Sequence, residues 1–345
     1  MTSVSNSPSR LRGSLGRLRK LLQYPPTQIE NLVTRPDESQ GRIEKLQRNA
    51  LSLLMQGEAR ASQGLISPAE IGTLRRFDLE NRARALTNPV YLGDHTALCR
   101  VLGGYKIYLD TRDTGFGSHV LLDGYWETWL TIFIARNVRP GMNAIDIGAN
   151  YGYYTLLLGA LVGASGHVYA VEPNPAIIAK LRRSIDLNGL ASRTTLIAAA
   201  AGATDGAEVF LFAPHGEPKN GTIVTSPEVR AASSGDIHSV PQVTIDQAAA
   251  AAPRIDFVKI DAEGAEQAII TGMQQILMRD KPGLVLEFNA GRYRNPSGFV
   301  DQLRGIYGRM RYIDFAGDPC ELTPAALLED RSGDDWLLYF DDPAT

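Results

Sequence analysis

The sequence predicts an α/β fold: a Rossmann-like, seven-stranded, mostly parallel sheet, preceded by a helical N-terminal extension and interrupted by a β-rich insertion. Three observations predict it. From residue 140 onward, short apolar runs alternate with stretches of helical periodicity, the pattern of successive βα units. The first run, 143–148, contains an acid and ends in a glycine turn that opens a helix. The next run ends in a second acid, Glu172, as a nucleotide-binding sheet would have it. A chain of 345 residues, 44% of them hydrophobic, can bury one large core and carry a smaller appended region.

Residues 1–88 read as a helical extension, accessory or self-associating, with apolar residues on a 3.6 period over 41–60 and 68–86. Residues 89–139 form a second segment: a hairpin of 97–102 and 105–110 around Gly103-Gly104, then a helix over 125–137. The core domain is expected over 140–345. Its strands fall at 143–148, 167–172, 194–199, 255–261, 283–288, 312–315 and 336–340, and its helices at 153–162, 175–188, 264–277 and 296–308. The stretch 202–244 is too long for an ordinary connection, so it is read as an insertion over the site, with strands at 208–212 and 240–245. The alanines of 248–252 fit a helix.

Composition narrows the function classes. A net charge of −3 gives no reason to expect a polyanion, so no nucleic-acid partner is expected and a small-molecule or glycan substrate fits better. Cys99 and Cys320 stand far apart without metal-ligand spacing, so neither a disulfide framework nor a zinc site is expected, in keeping with a cytoplasmic location. No apolar run approaches the roughly 18–20 residues of a membrane span, and no signal-peptide core follows the N-terminal cations. Arg10, Arg12, Arg17, Arg19 and Lys20 alternate there with Leu11, Leu15, Leu18 and Leu22 at helical spacing. A terminal helix that is frayed, or that joins a homo-oligomer, is favoured over docking to a membrane surface.

The chemistry concentrates in two places. In Asn143-Ala-Ile-Asp-Ile-Gly-Ala-Asn-Tyr-Gly152, glycines at 148 and 152 let a ligand approach the backbone at the first βα turn. A dinucleotide site needs G-x-G-x-x-G; here three residues separate the glycines, and Asp146 would repel a diphosphate but suit the ammonium of a methionine moiety. The charge pairing therefore favours S-adenosylmethionine over NAD. Glu172, in Val171-Glu172-Pro173-Asn174, is placed to accept both ribose hydroxyls. The plainer alternative for both acids is helix capping or a solvated strand end.

The second place is Ile255-Asp-Phe-Val-Lys-Ile-Asp-Ala-Glu-Gly-Ala-Glu266, a strand entering a helix at the same edge of the sheet. Asp261 and Glu263 should face the cleft, either as groups for chemistry at a methyl or as caps of the following helix. Lys259 lies in an apolar strand and needs an acidic partner, expected to be Glu287.

The motif order resembles the FkbM-type methyltransferases over about residues 90–340. It rests on Gly124-Tyr125-Trp126-Glu127, on Asp146-Ile-Gly-Ala-Asn-Tyr-Gly-Tyr-Tyr-Thr155, on Glu172-Pro-Asn-Pro175 and on Lys259-Ile-Asp-Ala-Glu-Gly-Ala-Glu266, the most specific of the four. The resemblance implies a class I methyltransferase fold, S-adenosylmethionine as donor and O-methylation of a sugar or polyketide hydroxyl. It implies that Glu127, Asp146, Asn150, Glu172 and Asp261 line the cofactor and reaction cleft. Gly148, Gly152, Tyr154, Thr155 and Asn174 complete the expected cofactor set.

Methyl transfer to a hydroxyl is an in-line displacement that gains from a base within hydrogen-bond reach. The candidates are Asp261, Glu263, Glu127 and Glu287, then His119, with His215 and His238 in the insertion carrying less weight. A divalent metal on Asp261 and Glu263 would activate the hydroxyl instead, although the sequence does not demand one. A methyltransferase of amino groups would show Asn or Asp with Pro-Pro and an aromatic after the fourth strand; this chain has Asp261-Ala-Glu-Gly there, and its Pro25-Pro26 lies far upstream. A non-catalytic cofactor-binding or scaffolding protein is the remaining alternative, against which the intact acids argue.

Overall fold

The apolar runs beyond residue 140 become the centre of an eight-stranded sheet. The computed structural model describes residues 64–217, 220–224, 234–329 and 335–342. In chain order the described strands are β1 (Val90–Tyr91), β2 (Thr96–Val101), β3 (Tyr105–Asp110), β4 (Asn143–Ile147), β5 (His167–Val171), β6 (Thr194–Ile197), β7 (Ala200–Ala201), β8 (Glu208–Pro214), β9 (Thr222–Val224), β10 (Gly235–Val243), β11 (Phe257–Ile260), β12 (Gly283–Phe288), β13 (Arg311–Ile313), β14 (Pro319–Glu321) and β15 (Trp336–Phe340). The main sheet runs β14-β13-β15-β12-β11-β4-β5-β6. Its five central and near-edge strands, β6 to β12 in that order, are parallel, and β15 is antiparallel to both its neighbours.

Parallel strands buried on both faces read as continuous apolar runs, with alternate residues serving opposite layers. On β11, Phe257 belongs to the core on one face and Val258 and Ile260 to the core on the other. On β12, Val285 joins Phe257, while Leu284, Leu286 and Phe288 join Val258. The first face is covered by the helices Thr128–Asn137, Tyr153–Leu161 and Pro175–Leu187, whose Phe133, Leu157 and Leu181 are fully buried. The second face is covered by Glu266–Thr271, Gln274–Asp280 and Pro296–Tyr307.

Two smaller sheets flank the core. β1-β2-β3 pack beside the helix Pro175–Leu187, and the insertion adds β8, β9 and β10 to the preceding β7 in a sheet ordered β7-β10-β8-β9. The insertion strand expected from residue 240 begins at Gly235 and stops at Val243, because Thr244 caps a short helix, Ile245–Ala248. The main sheet has eight strands rather than seven: β14 adds a three-residue edge to β13, too short and Pro-initiated to show a period.

Several helices differ from their expected extents, each for a local reason. The segment over 264–277 divides into Glu266–Thr271 and Gln274–Asp280, because Asp246 takes the Gly272 carbonyl with its N–H and caps Gln275 N and Ile276 N with its carboxylate. The segment over 68–86 divides into Pro68–Ile71, closed by a Ser67/Glu70 capping box, and Arg76–Leu86. Both pack into the compact unit Leu65–Thr345, where Ile71 and Leu79 are fully buried. Phe116–Asp123 is a helix that glycines at 115 and 117 concealed in the sequence. The helix expected from 125 starts at Thr128, since Glu127 takes a left-handed φ of 34°. The readings over 1–22 and 41–60 lie outside the described residues. No helix among the described residues is long and apolar enough to cross a membrane.

The turn after β4 packs most closely. Gly148 has φ +73°, and a Cβ there would lie 1.8 Å from the Asp261 carbonyl oxygen. Gly189 also has a left-handed φ, +68°, but among the described residues nothing lies within 4 Å of its missing Cβ. Gly189→Ala should therefore cost only the backbone penalty, about 1–2 kcal/mol, whereas Gly148→Ala should cost more than about 3 kcal/mol or prevent folding. Urea denaturation of the two variants measures the difference, and equal losses would mean that the close approach is relieved by movement of the β11 loop.

Candidate active site

The site is assembled at the carboxyl ends of β4, β5, β11 and β12, where an open parallel sheet presents loops to a ligand. Its foundation is an ion pair set by strand register. β4 and β11 run parallel with Asp146 opposite Lys259, and the same register puts Val285 on the other side of Lys259. Lys259 Nζ lies 3.6 Å from Asp146 Oδ1 and 3.3 Å from Asp261 Oδ2, and donates to the Gly148 carbonyl at 3.4 Å. The expected partner, Glu287, is two residues beyond Val285, roughly 6.6 Å farther along the strand. Glu287 instead pairs with Arg292 at 2.8 Å.

Burial works against the Lys259 ammonium, but the charges of Asp261 and Asp146 outweigh it and raise its pKa, so it holds its proton. Burial pushes the Asp146 carboxyl up, opposed by Lys259 and by the Thr155 hydroxyl, which donates to Asp146 Oδ2 at 2.6 Å. Asp146 and Thr155 are wholly buried, and neither faces the cleft. The expected contact of Asp146 with a ligand ammonium is thus replaced by one with Lys259. The carboxylate open to the cleft beyond that lysine is Asp261, whose side chain is 34% exposed.

The cleft has two lobes, which share Gly148, Glu172, Asp261 and Glu263. The polar lobe adds Glu127, Lys259 and Glu287, with Phe116, Trp126 and Tyr154 among its aromatic rings. The apolar lobe lies toward the insertion and includes Val171, Ala201, Leu211, Ile223 and Ile269. Glu172 stands between them, accepting from Asn150 N at 2.9 Å and Asn174 N at 2.8 Å. Burial nevertheless pushes its pKa up to about 7.

Arg292, which the sequence reading passed over, neutralises the far side. Its guanidinium reaches Glu263 (3.2 Å), Glu287 (2.8 Å) and Asp335 (3.1 Å). Burial and the neighbouring Asp261 charge raise the Glu287 pKa well above the usual carboxylate range. Asp261, Glu263 and Glu287 present oxygens within 4.8 Å of one another, a spacing a divalent ion could bridge, although Arg292 already supplies a cation to two of them. On the near side the Tyr154 hydroxyl donates to Glu127 Oε2 at 2.7 Å, and the Tyr154 ring lies 5.0 Å from Lys259 Nζ. Three cleft residues other than glycine, Glu127, Asn150 and Glu263, have left-handed φ angles of 34°, 51° and 50°. Such strain persists only where the surroundings dictate it, and it collects at functional sites.

Of the residues expected from sequence, the structure brings together Glu127, Gly148, Asn150, Tyr154, Glu172, Asp261, Glu263 and Glu287 in the polar lobe, and Asn174 in the apolar one. Gly152 instead caps the helix Tyr153–Leu161 and packs on Leu181. His119 lies outside the lining: its helix turns it toward Asp123, 3.5 Å away, and its ring meets Tyr125 and Trp126 edge-on. His215 and His238 line a separate cleft with Asp110 and Tyr151. Phe116, Trp126 and Arg292 were missed. Trp126 and Arg292 had a signal in adjacency, since one precedes Glu127 and the other follows the end of β12; Phe116 had none.

S-adenosylmethionine fits these residues. Among the described residues the buried Asn150 Oδ1 has no hydrogen-bond partner, and it lies beside Glu172 and the Gly148 turn at the junction of a polar and an apolar lobe. Sheet order, turn and acids define a Rossmann-like, S-adenosylmethionine-dependent methyltransferase domain. Residues 146–313 match the family model of the methyltransferase FkbM domain. Over these residues the chain therefore carries a domain that matches the FkbM methyltransferase model.

Among curated relatives, the chain is 38% identical over 50 residues to a protein-L-isoaspartate O-methyltransferase of Methanothrix thermoacetophila, a match covering 14% of this chain and 24% of the relative. It is 30% identical over 109 residues to the tRNA wybutosine-synthesizing protein 2 homolog of Danio rerio, covering 27% and 26%. The chain thus spans about a quarter of the length of these relatives. Among solved structures it is similar to the methyltransferase FkbM of Methylobacillus flagellatus KT, with 16% identity and a TM-score of 0.37 over 62% of this chain and 53% of that one. It is also similar to the precorrin-6y C5,15-methyltransferase of Geobacter metallireducens GS-15, with 12% identity and a TM-score of 0.35 over 63% and 87%.

Removing one partner of a buried pair strands the other charge. Lys259→Met should destabilise the domain by about 3–5 kcal/mol, and adding Asp146→Asn should recover much of that loss. Urea titrations of the single and double variants read the coupling; additive losses would show that Asp146 does not depend on Lys259.

Proposed function

We propose that the chain methylates a hydroxyl group of a sugar, glycan or related natural product, with S-adenosylmethionine as donor. The observation that carries this reading is the composition of the polar lobe: Asp261, common to both lobes, lies in the same pocket as Glu127 and the rings of Phe116 and Trp126. Rings of this kind suit the apolar C–H faces of a sugar, and carboxylates suit its hydroxyls. Lys259 and Arg292, cations that reach the cleft acids, are both held in ion pairs, an arrangement suited to a neutral acceptor.

When bound, S-adenosylmethionine supplies an electrophilic methyl carbon on a sulfonium. Glu172 would hold the ribose hydroxyls, the apolar lobe the adenine, and the acids of the polar lobe the positive end. Asp261 is the group we assign to the acceptor hydroxyl, taking its proton as the oxygen attacks; a base so placed contributes roughly 10²–10⁴-fold. Lys259 fixes the Asp261 carboxylate in place, and the aromatic wall restricts water. The acceptor is thus a small molecule or glycan, and self-association through the N-terminal segment belongs to the same proposal.

Two measurements test this. Labelled S-adenosylmethionine is incubated with sugars, nucleotide sugars, glycans and polyketides, with and without chelator, and labelled product is sought by mass spectrometry. A sugar methyl ether whose formation falls about 10²–10⁴-fold in Asp261→Asn is expected. A polyketide product would move the acceptor class, loss of product with chelator would assign a metal to the three acids, and cofactor binding without any product would favour a non-catalytic role. The second measurement is pH dependence. Hydroxyl donors bond more strongly to the carboxylate than to the acid, so a Glu172 pKa of about 7 in the free protein means that cofactor affinity rises with pH through about 7 and then levels. Calorimetry at several pH values should show this rise in the native chain and lose it in Glu172→Gln; an affinity flat in both would place the ribose elsewhere.

A further inference from the structure

The acids at the end of β11 sit on a loop that cannot hold its shape alone. Glu263 and Gly264 follow one another with φ of 50° and 101°, a left-handed pair, and the Ala262 and Gly264 N–H groups need an acceptor. Glu266 supplies it: Oε1 accepts from Ala262 N at 3.2 Å and from Gly264 N at 3.1 Å. Its other oxygen accepts from the Tyr293 hydroxyl at 2.8 Å. Glu266 is wholly buried, and neither it nor Tyr293 lines either lobe of the cleft.

Tyr293 is itself fixed. Its ring stacks on Phe288 at 5.2 Å and meets Phe299 at 5.1 Å. It directly follows the short turn Ala290–Arg292, whose last residue holds Glu263 and Glu287. One connection after β12 thus acts on the β11 loop twice: Arg292 pairs with the Glu263 side chain, and Tyr293 steadies the carboxylate that binds the loop backbone. Ordinary helix capping does not account for Glu266, because the N–H groups it satisfies belong to the loop before the helix Glu266–Thr271.

We propose that Glu266 and Tyr293 are positioning residues that set the β11 loop, and with it the direction of Asp261 and Glu263, for cofactor and acceptor; the last clause rests on the function proposed above. Tyr293→Phe keeps the ring stack and removes only the hydroxyl, while Glu266→Gln removes the charge that holds two N–H groups. The experiment measures hydrogen exchange of peptides across the full chain by mass spectrometry, together with S-adenosylmethionine affinity by calorimetry. In both variants the peptide holding residues 261–266 should exchange at least about tenfold faster, while peptides from β12 and β15 keep their native protection. Cofactor affinity should fall several-fold, and Glu266→Gln with Tyr293→Phe should be little worse than Glu266→Gln alone.

Faster exchange spread over all core peptides in step with a lower melting temperature would overturn the proposal, since it describes a merely structural pair. Unchanged exchange in the loop would also overturn it. A loop that loosens as expected in a chain that binds no S-adenosylmethionine would sustain the clamp and overturn the cofactor reading.

Discussion

The buried ammonium of Lys259 is the interaction on which the rest of this site depends. It is 3% exposed, lies between Asp146 and Asp261, and also donates to the Gly148 carbonyl. It therefore ties the middle of β4, the turn after β4 and the loop after β11 into one object. An unpaired charge at that depth would be untenable, so the pairing of β4 with β11 has one acceptable register in this region. The two strand ends also meet through their backbones: the Asp261 N–H donates to the Ile147 carbonyl at 3.2 Å, and a Cβ at Gly148 would lie 1.8 Å from the Asp261 carbonyl oxygen.

A second cation completes the arrangement from outside. Arg292 gathers Glu263, Glu287 and Asp335 at one rim, as Lys259 gathers Asp146 and Asp261 beneath. Acids still outnumber cations around the opening, which favours a positively charged ligand without fixing any single carboxylate to it. Burial leaves Glu287 inclined to keep its proton and poises Glu172 near neutrality, so these carboxyls differ in charge by position alone.

Much of the fold was legible because the relevant patterns are local. The strands over 143–148, 167–172, 283–288 and 336–340 were marked by apolar runs between turn signals, and they occur within a residue of those limits. The acids at 146, 172, 261 and 263 were marked by standing at the ends of such runs. What was not legible depended on who meets whom. Lys259 plainly needed an acid, yet only register selects Asp146 over Glu287. His119 was suggested as a loop histidine that could serve as a base, but the unrecognised helix Phe116–Asp123 turns it to Asp123 and sends Phe116 into the cleft.

By itself, then, the sequence determined the type of sheet, the edge at which a ligand approaches and the residue types available there, since hydrophobic period, glycine spacing and strand-end acids are properties of neighbours along the chain. Tertiary structure alone decided which acid is buried as a counter-ion and which is open to a ligand. It also decided that Arg292 and Tyr293, from the far side of β12, restrain a loop on β11. Those outcomes follow from strand order and register, which bring Lys259 to Asp146, and Arg292 and Tyr293 to Glu263 and Glu266, from different segments of the chain and carry no signature in any one of them.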